Sequence, residues 1–124
     1  MKLENLIGCR IHGNIYENFS ADSIVLIDTH FQDCQFNNIT IKKIFNWNST
    51  FNYCQFSNCN LRTLFRSDFE INEMIDVLKT NGFQSNYKMI HSILNGDLNK
   101  AILYKNSENK FIRELCIWTL KNIK

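Results

Sequence analysis

Two of the three histidines and several of the five cysteines are the residues of this sequence best suited to chemistry. His12 and His30 stand near Arg10 in a repeating part of the chain, so a fold that stacks the repeats would place them on one face. A nucleophilic site also needs a Cys or Ser within hydrogen-bond reach of a histidine, and an acid that orients the ring. Cys9 and Cys34 occupy positions that should point into the core, away from that face. We therefore predict no catalytic residues and no enzyme activity.

Cys34, Cys54 and Cys59 are the candidates for a metal cluster. The C-x4-C spacing of the last two lies at the edge of zinc-ligand spacings. A five-residue periodicity already explains that spacing, because four of the five cysteines fall in one column of it. Thiols in such a column behave as small apolar side chains. We therefore predict buried thiols in a reducing cytosol, with no metal and no cofactor.

Hydrophobic residues recur every five positions from Leu6 to Leu61. Eleven of the twelve residues on this frame are apolar, and the exception is Asn46. The residue two positions after each is turn-like, as at Gly8 and Gly13. Neither a helix, which repeats at 3.6 residues, nor a strand, which repeats at 2, has this period. The chain should therefore bend after each short extended segment and return over itself every twenty residues, with Phe36 beside Phe56 and Cys34 beside Cys54.

Four of the five-residue units resemble the pentapeptide-repeat family, whose unit has a central Leu or Phe and a small residue two positions earlier. They are Cys34–Asn38, Ser49–Tyr53, Cys54–Asn58 and Cys59–Thr63. Members of that family fold as a right-handed quadrilateral β-helix. The resemblance therefore implies a mainly β solenoid, a short right-handed quadrilateral β-helix of about three coils. We expect it to occupy residues 1–67 and an α-helical segment to occupy residues 68–124.

The helical segment is predicted to contain about four short helices, from capping and stop signals. Residues 67–70 read as a capping box, and Asn81-Gly82 should stop the first helix. Ser85, Asp97 and Ser107 are the expected caps of the next three helices. Such short amphipathic helices should pack on other elements rather than stand alone.

One outer face of the predicted solenoid is apolar, whereas the other three are mainly polar. The apolar face consists of Ile7, Val25, Ile27, Phe45, Trp47 and Phe65. An apolar stripe of this kind needs covering. Either the protein's own C-terminal helices lie on it, or it binds a protein partner, which could be a second copy of the chain.

The net charge of +2 is unevenly distributed. Residues 1–78 hold six Lys/Arg and nine Asp/Glu, whereas residues 79–124 hold eight and three. Segments 86–94 and 97–105 have helix-turn-helix spacing. The candidate nucleic-acid contacts in this region are Lys88, Lys100, Lys105 and Lys110. A binding domain is usually more basic, and charged side chains on a solvated helix face are the simpler explanation, so we do not expect a nucleic-acid partner.

These patterns favour a non-enzymatic protein–protein interaction module that could associate as a homodimer. Some pentapeptide-repeat proteins protect DNA gyrase from poisons, so the resemblance also implies topoisomerase protection or another immunity role as an alternative. A net −3 over residues 1–78 is far below the one charge per ~1.7 Å of duplex DNA, which weakens that alternative. Nucleic-acid binding through the basic helices is the third hypothesis. With no transmembrane run and no signal-peptide core, we expect a cytoplasmic protein without a membrane partner.

Overall fold

The computed structural model describes residues 1–61 and 70–122 of the 124-residue chain. The chain divides into two compact units, Met1–Asn86 and Tyr87–Lys124. The predicted boundary between residues 67 and 68, and most of the predicted capping box, lie outside the described residues. None of the helices in the described ranges has the length and apolar character needed to cross a membrane.

The first unit consists of two parallel sheets and one helix, as far as its described residues go. Its elements in chain order are β1 Leu6–Ile7, β2 Arg10–His12, β3 Ile15–Ile27, β4 His30–Gln32, β5 Gln35–Trp47, β6 Thr50–Asn52, β7 Gln55–Ser57, α1 Ile71–Asn81 and β8 Gln84–Ser85. One sheet has the order β7-β5-β3-β1-β8, and the other has the order β2-β4-β6. Core side chains from both sheets form one hydrophobic cluster.

The predicted mainly β solenoid, a closed quadrilateral β-helix, is wrong for the described residues. They form two separate sheets of five and three strands together with helices, an α/β arrangement without a closed solenoid. The reason is that β3 and β5 each continue as one strand for thirteen residues. Bends at Asn18 and Asn38, where φ is 59° and 55°, are accommodated inside these strands and do not end them.

The twenty-residue register that the periodicity predicts is confirmed. β3 pairs with β5 with Tyr16 opposite Phe36, and β5 pairs with β7 with Phe36 opposite Phe56. The same offset joins the three strands of the smaller sheet. Most of the predicted turn positions adopt positive φ, whereas Ser23 and Lys43 do not. The sequence frame therefore fixes which residues become neighbours, although it misjudges how the strands are grouped.

Aromatic rings in the core of the first unit stack along this register. The rings of Phe31 and Phe51 are parallel with centroids 4.8 Å apart, as are those of Phe36 and Phe56. Phe31 also meets Tyr16 and Phe36 edge-on, at 6.0 and 5.5 Å. Offset stacks and edge-on contacts are the favourable geometries of aromatic pairs. Adjacent repeats are therefore held together by side-chain contacts as well as by backbone pairing.

Asn5 joins the start of the chain to β3 and to the segment after α1. Its side-chain oxygen accepts a hydrogen bond of 2.8 Å from the Val25 N–H, and its amide donates one of 2.9 Å to the Gly82 carbonyl. Its own carbonyl accepts from the Gln84 N–H at 3.0 Å, beside the pairing of β8 with β1. Gly82 caps α1 with φ 78°, a conformation that is strained for residues with a side chain. Asn5 is itself buried.

The second unit contains α2 Ile90–Leu94, α3 Leu98–Tyr104 and α4 Lys110–Asn122 within its described residues. Asp97 caps α3 as predicted, accepting from the Lys100 N–H at 3.1 Å. Asn109 caps α4, accepting from the Ile112 N–H at 3.0 Å. The predicted cap at Ser85 is wrong, because that residue pairs with β1 as part of β8. α4 contributes the largest buried side chain of this unit, Phe111.

Candidate interaction surface

The apolar face predicted for partner or helix docking is largely inaccessible. Ile7, Val25, Ile27 and Phe45 are fully buried, and Trp47 is half-buried. Phe65, the last predicted member, lies outside the described residues. These four buried side chains offer no surface to a second chain.

Within the first unit, helix α1 packs over the larger sheet. It packs against β3, and Met74, Ile75 and Leu78 on its apolar side are buried. An ion pair of 2.8 Å between Lys43 of β5 and Glu73 of α1 adds a polar contact at the same junction. A helix from the C-terminal segment therefore packs on the sheet that carries the predicted apolar face.

Large apolar side chains are instead exposed on α3 and α4. They are Leu98, Ile102, Leu103, Ile117 and Leu120. α3 buries only Ala101, although it also carries four larger apolar or aromatic side chains. Ile102 and Leu103 leave 53% and 71% of their surface in contact with solvent. Scattered single apolar residues are ordinary on a protein surface, but several on two helices that pack together make these helices the candidate interaction surface.

The spacing of α3 explains why these side chains remain exposed. Leu98 and Ile102 are four residues apart and therefore lie on one side of the helix. Ala101 is the fully buried residue of this helix, and Lys100 and Tyr104 are half-buried. Residues 101–103 follow the predicted cap at Asp97 as one apolar run, which in a helix spreads over more than one side. Seven residues rich in apolar side chains therefore do not bury all of them, even though α3 packs against both α2 and α4.

The candidate nucleic-acid contacts lie in the same unit as these exposed side chains. Lys88, Lys105 and Lys110 are exposed and Lys100 is half-buried. Lys100 lies on α3 itself, Lys105 follows its last turn, and Lys110 begins α4. The residues of the second unit include seven Lys/Arg and three Asp/Glu. The unit that carries the exposed apolar side chains therefore has a net positive charge.

The histidines lie on the outer side of the smaller sheet, away from the core. His12 Nε2 and Asp33 Oδ2 are 3.1 Å apart, and His30 Nδ1 is 2.7 Å from the Thr50 hydroxyl. Cys34 is buried, as predicted from its inward position, and its thiol donates to the Gln32 carbonyl at 3.4 Å. The structure thus brings His12 and His30 to one face, whereas the buried Cys9 and Cys34 thiols donate to backbone carbonyls.

The cysteines are all unpaired and are placed differently from one another. Cys9, Cys34 and Cys116 are buried, whereas Cys54 and Cys59 are half-buried. Burial raises the pKa of the Cys9, Cys54 and Cys116 thiols. In residues 1–61 and 70–122, no three His, Cys, Asp or Glu side chains converge as metal ligands would.

We expect two of the five thiols to react with an alkylating reagent in the folded protein, with Cys59 ahead of Cys54. The thiolate is the reactive species, so burial and a raised pKa both slow the reaction. Mass spectrometry after brief labelling with iodoacetamide would identify the modified positions, and labelling in urea should modify all five. Rapid native labelling of Cys9 or Cys116 would contradict the buried placement.

Comparisons of the chain with protein-family models, with curated proteins and with solved structures found no match.

Proposed function

We propose that the protein is a non-enzymatic protein-interaction module whose contact surface is the exposed apolar side of α3 and α4. The observation that carries this proposal is the exposure of Ile102 and Leu103 on a helix of a unit with net positive charge. Apolar side chains with a polar rim are the usual composition of a protein interface. A partner surface that is apolar at its centre and acidic at its edge would complement it.

Two features separate this proposal from the alternatives. A helix that reads DNA presents polar side chains to base edges and phosphates, whereas α3 exposes Leu98, Ile102 and Leu103. Topoisomerase protection by DNA mimicry would need a strongly acidic surface. The first unit has seven Lys/Arg and nine Asp/Glu in 86 residues, which is close to neutral. Both roles are therefore secondary to protein binding.

The resemblance to the pentapeptide-repeat family is retained as a proposal about the sequence, apart from the closed β-helix. It is supported by the five-residue units and by the twenty-residue pairing offset. A cytoplasmic location belongs to the same proposal, because five unpaired thiols suit a reducing compartment.

The first partner to test is a second copy of the chain. Replacing Ile102 and Leu103 together with Gln retains good helix formers while removing the apolar contact. Light-scattering mass measured from low to high micromolar concentration should show a dimer for the wild type. The double variant should dissociate at a concentration about tenfold higher or more, since each buried apolar side chain contributes on the order of 1.5–3 kcal/mol.

Ile15→Gln is the matched control, because Ile15 is an exposed apolar residue of the first unit. It should leave association unchanged. A wild type that stays monomeric throughout moves the test to affinity capture, with the double variant and the control as parallel baits. The proposed surface would be contradicted if every protein captured by the wild type were captured equally well by the double variant and by the control.

A further inference from the structure

The outer side of the smaller sheet carries two rows of polar side chains in register. One row is Arg10, His30 and Thr50, and the other is His12, Gln32 and Asn52. These residues flank the central residue of each strand, which faces the core. Parallel pairing places neighbours in each row about 4.8 Å apart. Groups on three different repeats can therefore contact one small ligand.

These side chains border a shallow concavity of about 370 Å³. No acidic residue of the described chain lines it. Arg10 is always cationic, and the two histidines add imidazole N–H groups. The nearest carboxylate, Asp33, is held at 3.1 Å by His12 Nε2 at the margin of the face. The concavity is thus a locally basic place on a unit whose overall charge is slightly negative.

The hydrogen bond between His30 and Thr50 determines which ring nitrogen remains open. Nδ1 is 2.7 Å from the threonine hydroxyl. When that hydroxyl donates, Nδ1 is the acceptor, so Nε2 carries the proton even in the neutral ring. Neither this nitrogen nor the Arg10 guanidinium contacts a partner in the part of the chain that the structure describes. With the threonine hydroxyl donating, two donors on neighbouring strands are therefore open on the same face.

We propose that this face binds an oxyanion of the phosphate type through Arg10 and His30, with the amides of Gln32 and Asn52 as further donors. A guanidinium matches two phosphate oxygens with two parallel N–H groups, and an imidazole N–H from the adjacent strand can donate to a third. The ligand is a single phosphate group, free or as a monoester. A polyanion would also meet the rest of the first unit, whose net charge is slightly negative. This site is independent of the interaction surface on α3 and α4.

The proposal is tested by titrating the full chain with inorganic phosphate and, separately, with glycerol 1-phosphate while recording backbone and imidazole NMR signals. Saturable shifts should be confined to residues 10–12, 30–32 and 50–52. Arg10→Gln should weaken binding roughly tenfold or more, since hydrogen bonds to charged groups are among the strong ones. Tighter binding of the ester than of phosphate identifies an esterified ligand, and the reverse identifies free phosphate.

Lys42→Gln is the matched control. It also removes one exposed positive charge from a strand, but from β5, where Lys42 pairs with Asp22 at 3.4 Å. It should bind phosphate as the wild type does. His30→Gln should weaken binding while leaving the amide signals of the core unchanged. Shifts that rise linearly without saturation, or equal affinities for Arg10→Gln and Lys42→Gln, would overturn the site.

Discussion

Replacing Phe31 with alanine is expected to lower the free energy of unfolding by about 3–5 kcal/mol. Phe31 is fully buried and contacts the rings of Tyr16, Phe36 and Phe51. The variant loses the transfer free energy of the ring and also leaves a cavity between stacked repeats that the paired strands cannot collapse around. A change of this size is a large part of the stability of a small domain. Urea unfolding followed by circular dichroism would measure it.

Phe56→Ala provides the comparison within the same aromatic stack. Phe56 packs on Phe36 at 4.8 Å but is 40% exposed, so less apolar surface returns to water on truncation. We expect a loss of about 1–2 kcal/mol, on the scale of partly buried apolar area. Equal losses for the two variants would show that Phe31 is not at the centre of the core.

Asn5→Ala is expected to lower the free energy of unfolding by about 1–3 kcal/mol. The substitution removes the partners of two backbone groups, the Val25 N–H and the Gly82 carbonyl. Val25 is fully buried, so its unsatisfied N–H costs about 1–3 kcal/mol, whereas Gly82 is exposed and its carbonyl can bond to water. Since Asn5 extends the pairing along β3 just before β1 begins, the effect should also appear locally. Hydrogen exchange should show that the Val25 amide loses more protection than amides at the centre of β3.

Gln84→Ala serves as the control for this junction. Gln84 is exposed, and its side chain donates to Glu4 at 2.7 Å. Exposed contacts of this kind change stability by less than about 1 kcal/mol. If Asn5→Ala were as mild as Gln84→Ala, the buried bridge would contribute little to holding the start of the chain on β3.

The sequence predicts the neighbours within the first unit better than it predicts the fold class. An inward residue every five positions determines the twenty-residue offset, which is why Phe36 and Phe56 meet as expected. The same pattern does not say whether backbone pairing stops at each bend. At Asn18 and Asn38 it resumes directly, and the strands merge into a larger sheet. The expected closed solenoid depended on each bend ending a strand.

The interaction surface is harder to predict from the sequence, because the burial of an apolar side chain depends on which elements pack against it. The apolar stripe containing Val25 and Phe45 was conspicuous in the sequence, yet these side chains are buried. Ile102 and Leu103 belong to an apolar run of a short helix in which Ala101 is the one buried residue. Periodicity identifies apolar sides of elements. It does not identify which of them is left uncovered once the short helices have packed.

The twenty-residue offset between paired strands also determines how many residues can be inserted or removed without disturbing the strand pairing. A one-residue insertion between Asn38 and Asn48 would shift every later strand by one residue against the strand it pairs with. Inward-pointing residues would then be paired with outward-pointing ones. A tandem duplication of residues 29–48 would preserve all of those pairings, because it adds one complete period. Descendants of this gene should therefore tolerate gains and losses of twenty codons in this region far better than any smaller change.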